Sequence, residues 1–188
     1  MIRNVKAEDL IFIDESGVNL AMIRLFARAF GGERARAAKT QKGKNVSIIG
    51  ALSLKGMIAS YNVLGGVNAI TFEAFICQML VPLLWPGAYV IMDNASAHKR
   101  AEIEEAIKAV GAHLVFLPPY SPDLSPIENY WSKLKTILRS IGARTYQELD
   151  KAIKEAYEQI SIQNIRNWFA HDCYCDSPFK DIVDSQCA

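Results

Sequence analysis

Histidine and cysteine are scarce in this 188-residue chain, with three His and four Cys. Cys77, Cys173, Cys175 and Cys187 are too few and too clustered for a disulfide framework, and a cytosolic chain would keep them reduced. His171, Cys173, Cys175 and Cys187 would make a poor zinc site, because Cys-x-Cys is a weak spacing without a second Cys-x-x-Cys pair. Cys77 sits in an apolar run and is expected in the core. No hydrophobic run approaches the roughly 20 residues of a spanning helix, and the longest, Phe75 to Trp85, is broken by Gln78 and Pro82. The first residues, Met-Ile-Arg-Asn-Val-Lys, carry charge where an export signal needs apolar residues, so a cytoplasmic protein is expected. Neither charge sign dominates: 21 Lys plus Arg face 20 Asp plus Glu, which with 51% hydrophobic residues describes a folded chain rather than a disordered one. The length suits one domain with a real core, expected over 1–175, followed by a loose tail over 176–188.

Locally the balance breaks. Arg24, Arg28, Arg34, Arg36, Lys39, Lys42 and Lys44 face only Glu33, a basic stretch able to meet phosphates or simply to be solvated. From Asp172 to Asp184 four Asp face Lys180 alone. Between these ends, Leu10–Asp14, Val46–Leu54 and Met57–Leu64 read as strands, the last two forming a hairpin about Lys55-Gly56. Thr71–Leu84 reads as a helix capped by Thr71, with Phe72, Phe75, Ile76, Met79, Leu80 and Leu83 inward. A strand at Ala88–Asp93, a helix at His98–Val110 and a strand at His113–Leu117 follow, then a proline-rich loop and helices near Ser125–Ile141 and Tyr146–Ile160. The expected fold class is α/β, a mostly parallel sheet with an early antiparallel hairpin.

Two apolar strands run into an aspartate, Asp14 and Asp93, and ligands of open α/β sheets bind at the carboxyl ends of strands. Each aspartate alone also reads as a turn or cap residue. A third carboxylate, Glu128, lies in Ser125-Pro126-Ile127-Glu128, which fits a capping box with proline at the first helical position as well as it fits a catalytic residue. Three carboxylates without a His or Cys partner set suit a hard cation, Mg2+ or Mn2+. A pair of such ions promotes in-line displacement at phosphorus, which would give the basic stretch a strand of phosphates to neutralise.

Asp14-Glu15-Ser16, Asp93-Asn94-Ala95 with His98, and Pro118-Pro-Tyr-Ser-Pro-Asp-Leu-Ser-Pro-Ile-Glu128-Asn-Tyr-Trp131 with Leu134-Lys135 resemble the catalytic (DDE) domain of mariner-superfamily transposases, particularly the bacterial insertion-sequence branch. The 34 residues between Asp93 and Glu128 are typical of that family, and the resemblance runs from about Leu10 to Tyr174, including Asn167-Trp168-Phe169-Ala170-His171. It implies a ribonuclease H-like mixed sheet flanked by helices, two-metal DNA cleavage and strand transfer, and Asp14, Asp93 and Glu128 as catalytic metal ligands. By the same analogy Asp14 bridges both ions, with Asp93 and Glu128 each completing one.

Arg34, Arg36, Lys39, Lys42, Lys44, His98, Lys99, Arg100, Lys133 and Lys135 are candidate DNA contacts, each with the alternative of a solvated face, or for His98 of a structural role. Trp131 aligns with Leu134 and Leu138 on a buried stripe and is expected in the core. Family members carry helix-turn-helix modules ahead of the first Asp, whereas 13 residues precede Asp14 here, and Arg28-Ala-Phe-Gly-Gly-Glu-Arg34 stands where Arg-Gly-Trp is usual. The expected partners are therefore DNA, both element ends and target, and either a second copy or a separate helix-turn-helix-bearing half, in a nucleoid-associated bacterial setting without a membrane. The competing expectation is an inactive fragment that only binds DNA or a partner chain.

Overall fold

The computed structural model describes residues 5–22, 41–119, 121–172 and 174–175. Arg24, Arg28, Arg34, Arg36, Lys39, Cys173 and the expected tail lie outside the described residues.

Five strands form one sheet: β1 (Leu10–Val18), β2 (Val46–Ser53), β3 (Gly56–Leu64), β4 (Tyr89–Met92) and β5 (His113–Phe116), in the order β3-β2-β1-β4-β5. The first three pair antiparallel, and β1-β4-β5 pair parallel. Half of the pairings are antiparallel, because β1 as well as β3 runs against β2, so the sheet is not mostly parallel but the mixed, ribonuclease H-like sheet that the resemblance implies; the hairpin closes through Leu54-Lys55, with Gly56 at φ +123°.

Both faces of the sheet are covered, which explains why β1 reads as an unbroken apolar run. Leu10 and Phe12 pack on one face with α3 (Pro126–Ile141), α4 (Tyr146–Gln159) and α5 (Ile162–His171). Ile11 and Ile13 pack on the other with α1 (Ala69–Ala74) and its continuation, and with α2 (Ala101–Ala109).

The long helix expected over 71–84 begins earlier, with Asn68 rather than Thr71 as its cap: Asn68 Oδ1 accepts from the Thr71 backbone N–H at 2.8 Å. It then widens into a π-helical stretch, Phe75–Leu80, and ends in a tight turn at Val81–Leu83 around Pro82. Widening changes the residues per turn, so Phe72, Phe75, Ile76 and Leu80 are buried while Met79 and Leu83 turn outward. Cys77 shares that shift and is half-buried, not core. Helix α5 had no counterpart among the expected elements, although Ile165 and Phe169 lie buried at helical spacing.

Asp14 does not end its strand. It lies mid-strand because β2, with eight residues, pairs β1 as far as Val18↔Val46, whereas the four-residue β4 leaves β1 at Phe12↔Ile91. The edge of β1 opens at Asp14, and the cleft begins there.

Candidate active site

Register and alternation bring two carboxylates together. Phe12↔Ile91 is the last parallel pair of β1 and β4, and two residues further along each strand are Asp14 and Asp93. Both continue the face of Phe12 and Ile91, the one that packs on α3. Helix α3 seats Ile127, Tyr130, Trp131, Leu134, Ile137 and Leu138 against that face, which leaves Glu128 exposed at its first turn. Asp14, Asp93, Asn94, Ser125 and Glu128, with Pro118 and Pro119 as a stiff wall, line one open cleft of about 500 Å3.

Ser125 and Glu128 do not form a capping box. Ser125 has ψ 92° and its side chain caps nothing. At α4, Thr145 with ψ 160° accepts from Glu148 N at 3.1 Å, and the Glu148 carboxylate accepts from Thr145 N, a complete capping box. The two sites share one sequence signature and differ in backbone torsion.

The three carboxylates have unlike surroundings. Burial lifts the Asp14 carboxyl to about 7; the Glu15 backbone N–H opposes that, Glu128 adds to it, the Trp131 indole opposes it, and Asp93 adds again. Trp131 Nε1 donates to Asp14 Oδ2 at 2.9 Å, so the tryptophan is both core, 2% exposed, and bonded to the site. Gly50 stands directly opposite Asp14 on β2, and a Cβ there would come within 2.6 Å of Trp131 Cη2.

Asp93 Oδ1 accepts from the Ala95 backbone N–H at 3.1 Å and lies 2.6 Å from His98 Nδ1. That nitrogen is buried, and its approach to the carboxylate is short but poorly aligned. His98 Nε2 lies 3.5 Å from Glu15 Oε1, and the ring stacks on Phe72 at 3.9 Å. Burial disfavours the imidazolium, but Glu15 and Asp93 outweigh it and the histidine is raised above its usual range.

The expected DNA contacts separate. Arg100 is engaged by Glu73 at 2.7 Å and Glu102 at 3.6 Å, and His98 is 6% exposed between its two carboxylates. Lys99 and Lys133 are exposed and Lys135 half-buried, with no ion pair among the described residues. Lys135 lies seven residues after Glu128, two turns or about 10.5 Å along the same side of α3. Lys42 and Lys44 are exposed where the strap before β2 docks on Tyr146, whose hydroxyl accepts from Lys44 N at 2.6 Å. Val18↔Val46 puts that strap at the end of the sheet toward which the cleft opens.

Sequence reasoning gave Glu15, Phe72 and Gly50 no role at the site. Alternation along β1 was a signal for Glu15, which faces away from Asp14. The buried indole of Trp131 was another, since its N–H requires an acceptor.

A family model described as DDE superfamily endonuclease matches residues 9–151, most of the chain and a span that contains all three carboxylates. The chain belongs to this family. Comparison with curated proteins gives no match. Among solved structures, the DDE chain is similar to the Mos1 strand transfer complex at TM-score 0.70 and 16% identity, covering 88% of this chain and 52% of that one. The Mos1 paired-end complex with left transposon end gives 0.68 and 16%, covering 90% and 56%. The catalytic domain of Mos1 mariner transposase gives 0.64 and 14%, covering 90% and 81%. The DDE chain thus shares the fold of that catalytic domain and spans about half the length of the chains in the two complexes. Other Mos1 structures are described as complexes with Mn or with Mg.

A purely carboxylate donor set fits such hard cations. Among the described residues, no group of three or more His, Cys, Asp or Glu is placed to hold one ion together. Among them, too, no helix is long and apolar enough to cross a membrane.

Proposed function

We propose that this chain is the catalytic domain, spanning about 1–175, of a mariner-superfamily DNA transposase of the bacterial insertion-sequence branch, which cleaves and joins DNA strands by in-line phosphoryl transfer. The observation that carries this reading is the single cleft into which β1, the end of β4 and the start of α3 deliver Asp14, Asp93 and Glu128. Asp14 and Asp93 would hold one divalent cation, and Asp14 and Glu128 another. When bound, a pair of such ions supplies the Lewis acidity for displacement at phosphorus. The chain's own groups do the rest. Asp14 is oriented by the Trp131 indole, and Asp93 by the Ala95 N–H and His98. Pro118 and Pro119 keep one wall rigid.

In this reading Lys99, Lys133 and Lys135, on the segments that follow Asp93 and Glu128, meet phosphates beside the cleft, and Lys42 and Lys44 extend the track along the DNA. Arg34, Arg36 and Lys39, in the same basic stretch, are further phosphate contacts in this reading. Arg100 instead serves Glu73, and His98 serves Asp93. Partners are DNA, at element ends and target, and a second copy or a helix-turn-helix-bearing half that reads the ends. Work on DNA sets the chain in the bacterial cytoplasm, at the nucleoid.

Incubation of supercoiled plasmid with the chain and Mn2+ or Mg2+ should give nicked product, and excess EDTA should remove it. Undiminished nicking in EDTA would refute the two-ion reading. Binding without nicking under any divalent cation would instead identify a DNA-binding fragment. Binding by this chain alone should be weak, nearly independent of sequence and steeply salt-dependent, with a log–log slope of up to about −7 if the eight cations of this reading each neutralise a phosphate. Gel shifts of element ends against random DNA at two salt concentrations check this, and a strong preference for the ends would show that no separate reading module is needed.

A further inference from the structure

We infer that Trp131 is a positioning residue for Asp14, and that Gly50 is glycine so that the indole can reach it; the inference rests on the functional reading above. Helix α3 lays Trp131 over the sheet with its ring almost fully buried, yet Nε1 emerges at the site and donates to Asp14 Oδ2 at 2.9 Å. The bond spans β1 and α3, 117 residues apart in the chain, so it ties the helix that carries Glu128 to the strand that carries Asp14. A carboxylate fixed through one oxygen keeps its orientation while the cleft is open to water.

Gly50 makes this possible through space alone. Its φ is not among the positive values at which glycine is favoured, so its backbone does not require glycine. A Cβ at this position would lie 2.6 Å from Trp131 Cη2 and 2.9 Å from Met57 Sδ. One is the tip of a buried ring that cannot yield without swinging its N–H off Asp14. Gly50 is also the cross-strand neighbour of Asp14. The missing side chain, the indole and the carboxylate thus form one stack across two strands and a helix. Partners that hold a metal-binding side chain in place typically change metal affinity or activity by about 10–100-fold when removed.

The test removes the donor in two ways: Trp131→Phe, whose ring is smaller, and substitution of residue 131 by 3-benzothienylalanine, which matches the shape of tryptophan and keeps its packing. Mn2+ binding is read from the free-ion electron paramagnetic resonance signal, beside thermal melting in EDTA and DNA nicking across a Mn2+ series. Both variants should bind Mn2+ about 10–100-fold more weakly, and nicking should fall at low Mn2+ and recover largely at saturation. The benzothienyl variant should melt within a few degrees of the parent chain, which separates loss of the bond from loss of packing. Gly50→Ala should reproduce the weakened Mn2+ binding although it leaves the indole intact. Unchanged Mn2+ affinity in the benzothienyl variant would overturn the positioning role while leaving the three-carboxylate site standing. A parent chain that neither binds Mn2+ nor nicks DNA would overturn the functional reading and this inference together.

Discussion

Asp14→Asn is expected to abolish metal-dependent nicking and, in metal-free buffer near pH 8, to make the protein more stable. The gain arises because the Asp14 carboxyl stands at about 7 rather than 3.8, chiefly through burial, with Glu128 and Asp93 adding repulsion. Below pH 4 the folded and unfolded chains both carry this proton, and Asp14 imposes no penalty. Between about 4 and 7 the folded state retains the proton and the unfolded state has lost it, so stability falls as pH rises. Above 7 the whole penalty is present. About three pH units at 1.36 kcal/mol each set a ceiling near 4 kcal/mol. Asn keeps an oxygen to accept from Trp131 but no charge, so a gain of about 2 kcal/mol, several degrees in melting temperature, is the realistic expectation.

Added Mn2+ should reverse the order, because only the parent chain gains the linkage term, about 2.7 kcal/mol at a hundredfold excess over Kd. Melting curves at pH 4, 6 and 8, with and without Mn2+, test both signs. An Asp14→Asn chain less stable than its parent at pH 8 in EDTA would show that Asp14 is a structural carboxylate.

Glu128→Gln should lower nicking about a thousandfold or more while leaving the metal-free fold within about 1 kcal/mol of its parent. The first figure follows from the several kcal/mol of transition-state charge stabilisation that a correctly held ion provides, at 1.36 kcal/mol per tenfold in rate. The second follows from local structure. Ser125 makes no side-chain cap, and Glu128 is exposed, so the substitution removes only a helix-dipole interaction of about 0.3–1 kcal/mol. Relief of the repulsion between Glu128 and Asp14 offsets that loss. Glu148→Ala is the control. Glu148 belongs to a complete capping box, so its loss should cost about 1 kcal/mol and leave nicking untouched. If Glu128→Gln unfolds early in EDTA and still nicks DNA, Glu128 is a cap and the three-carboxylate site is wrong.

The sequence alone determined the five strands and four of the five helices and marked Asp14, Asp93 and Glu128 as candidate ligands, because each rests on local chemistry: apolar runs, periodicity, and aspartates and a glutamate set in recognisable motifs. That the sheet is mixed rather than mostly parallel was a matter of strand pairing, which local patterns do not set. The sequence also left Glu128 open between cap and ligand. The capping half of that choice turns on the ψ of Ser125, 92° against 160° at Thr145, which the shared Ser/Thr-x-x-Glu signature does not encode. The same holds for the phase of the helix after Asn68, which a π-helical stretch rotates out of its expected face. Trp131 was legible as core because a buried stripe repeats along one helix. Its bond to Asp14 was not, since the partners are 117 residues apart and meet only when α3 crosses the sheet above Gly50. His98 and Arg100 were likewise legible as basic residues near the site, but their carboxylate partners on β1, after β4 and on α1 came only with tertiary contact, where distance rather than residue type decides which charges remain available to a phosphate.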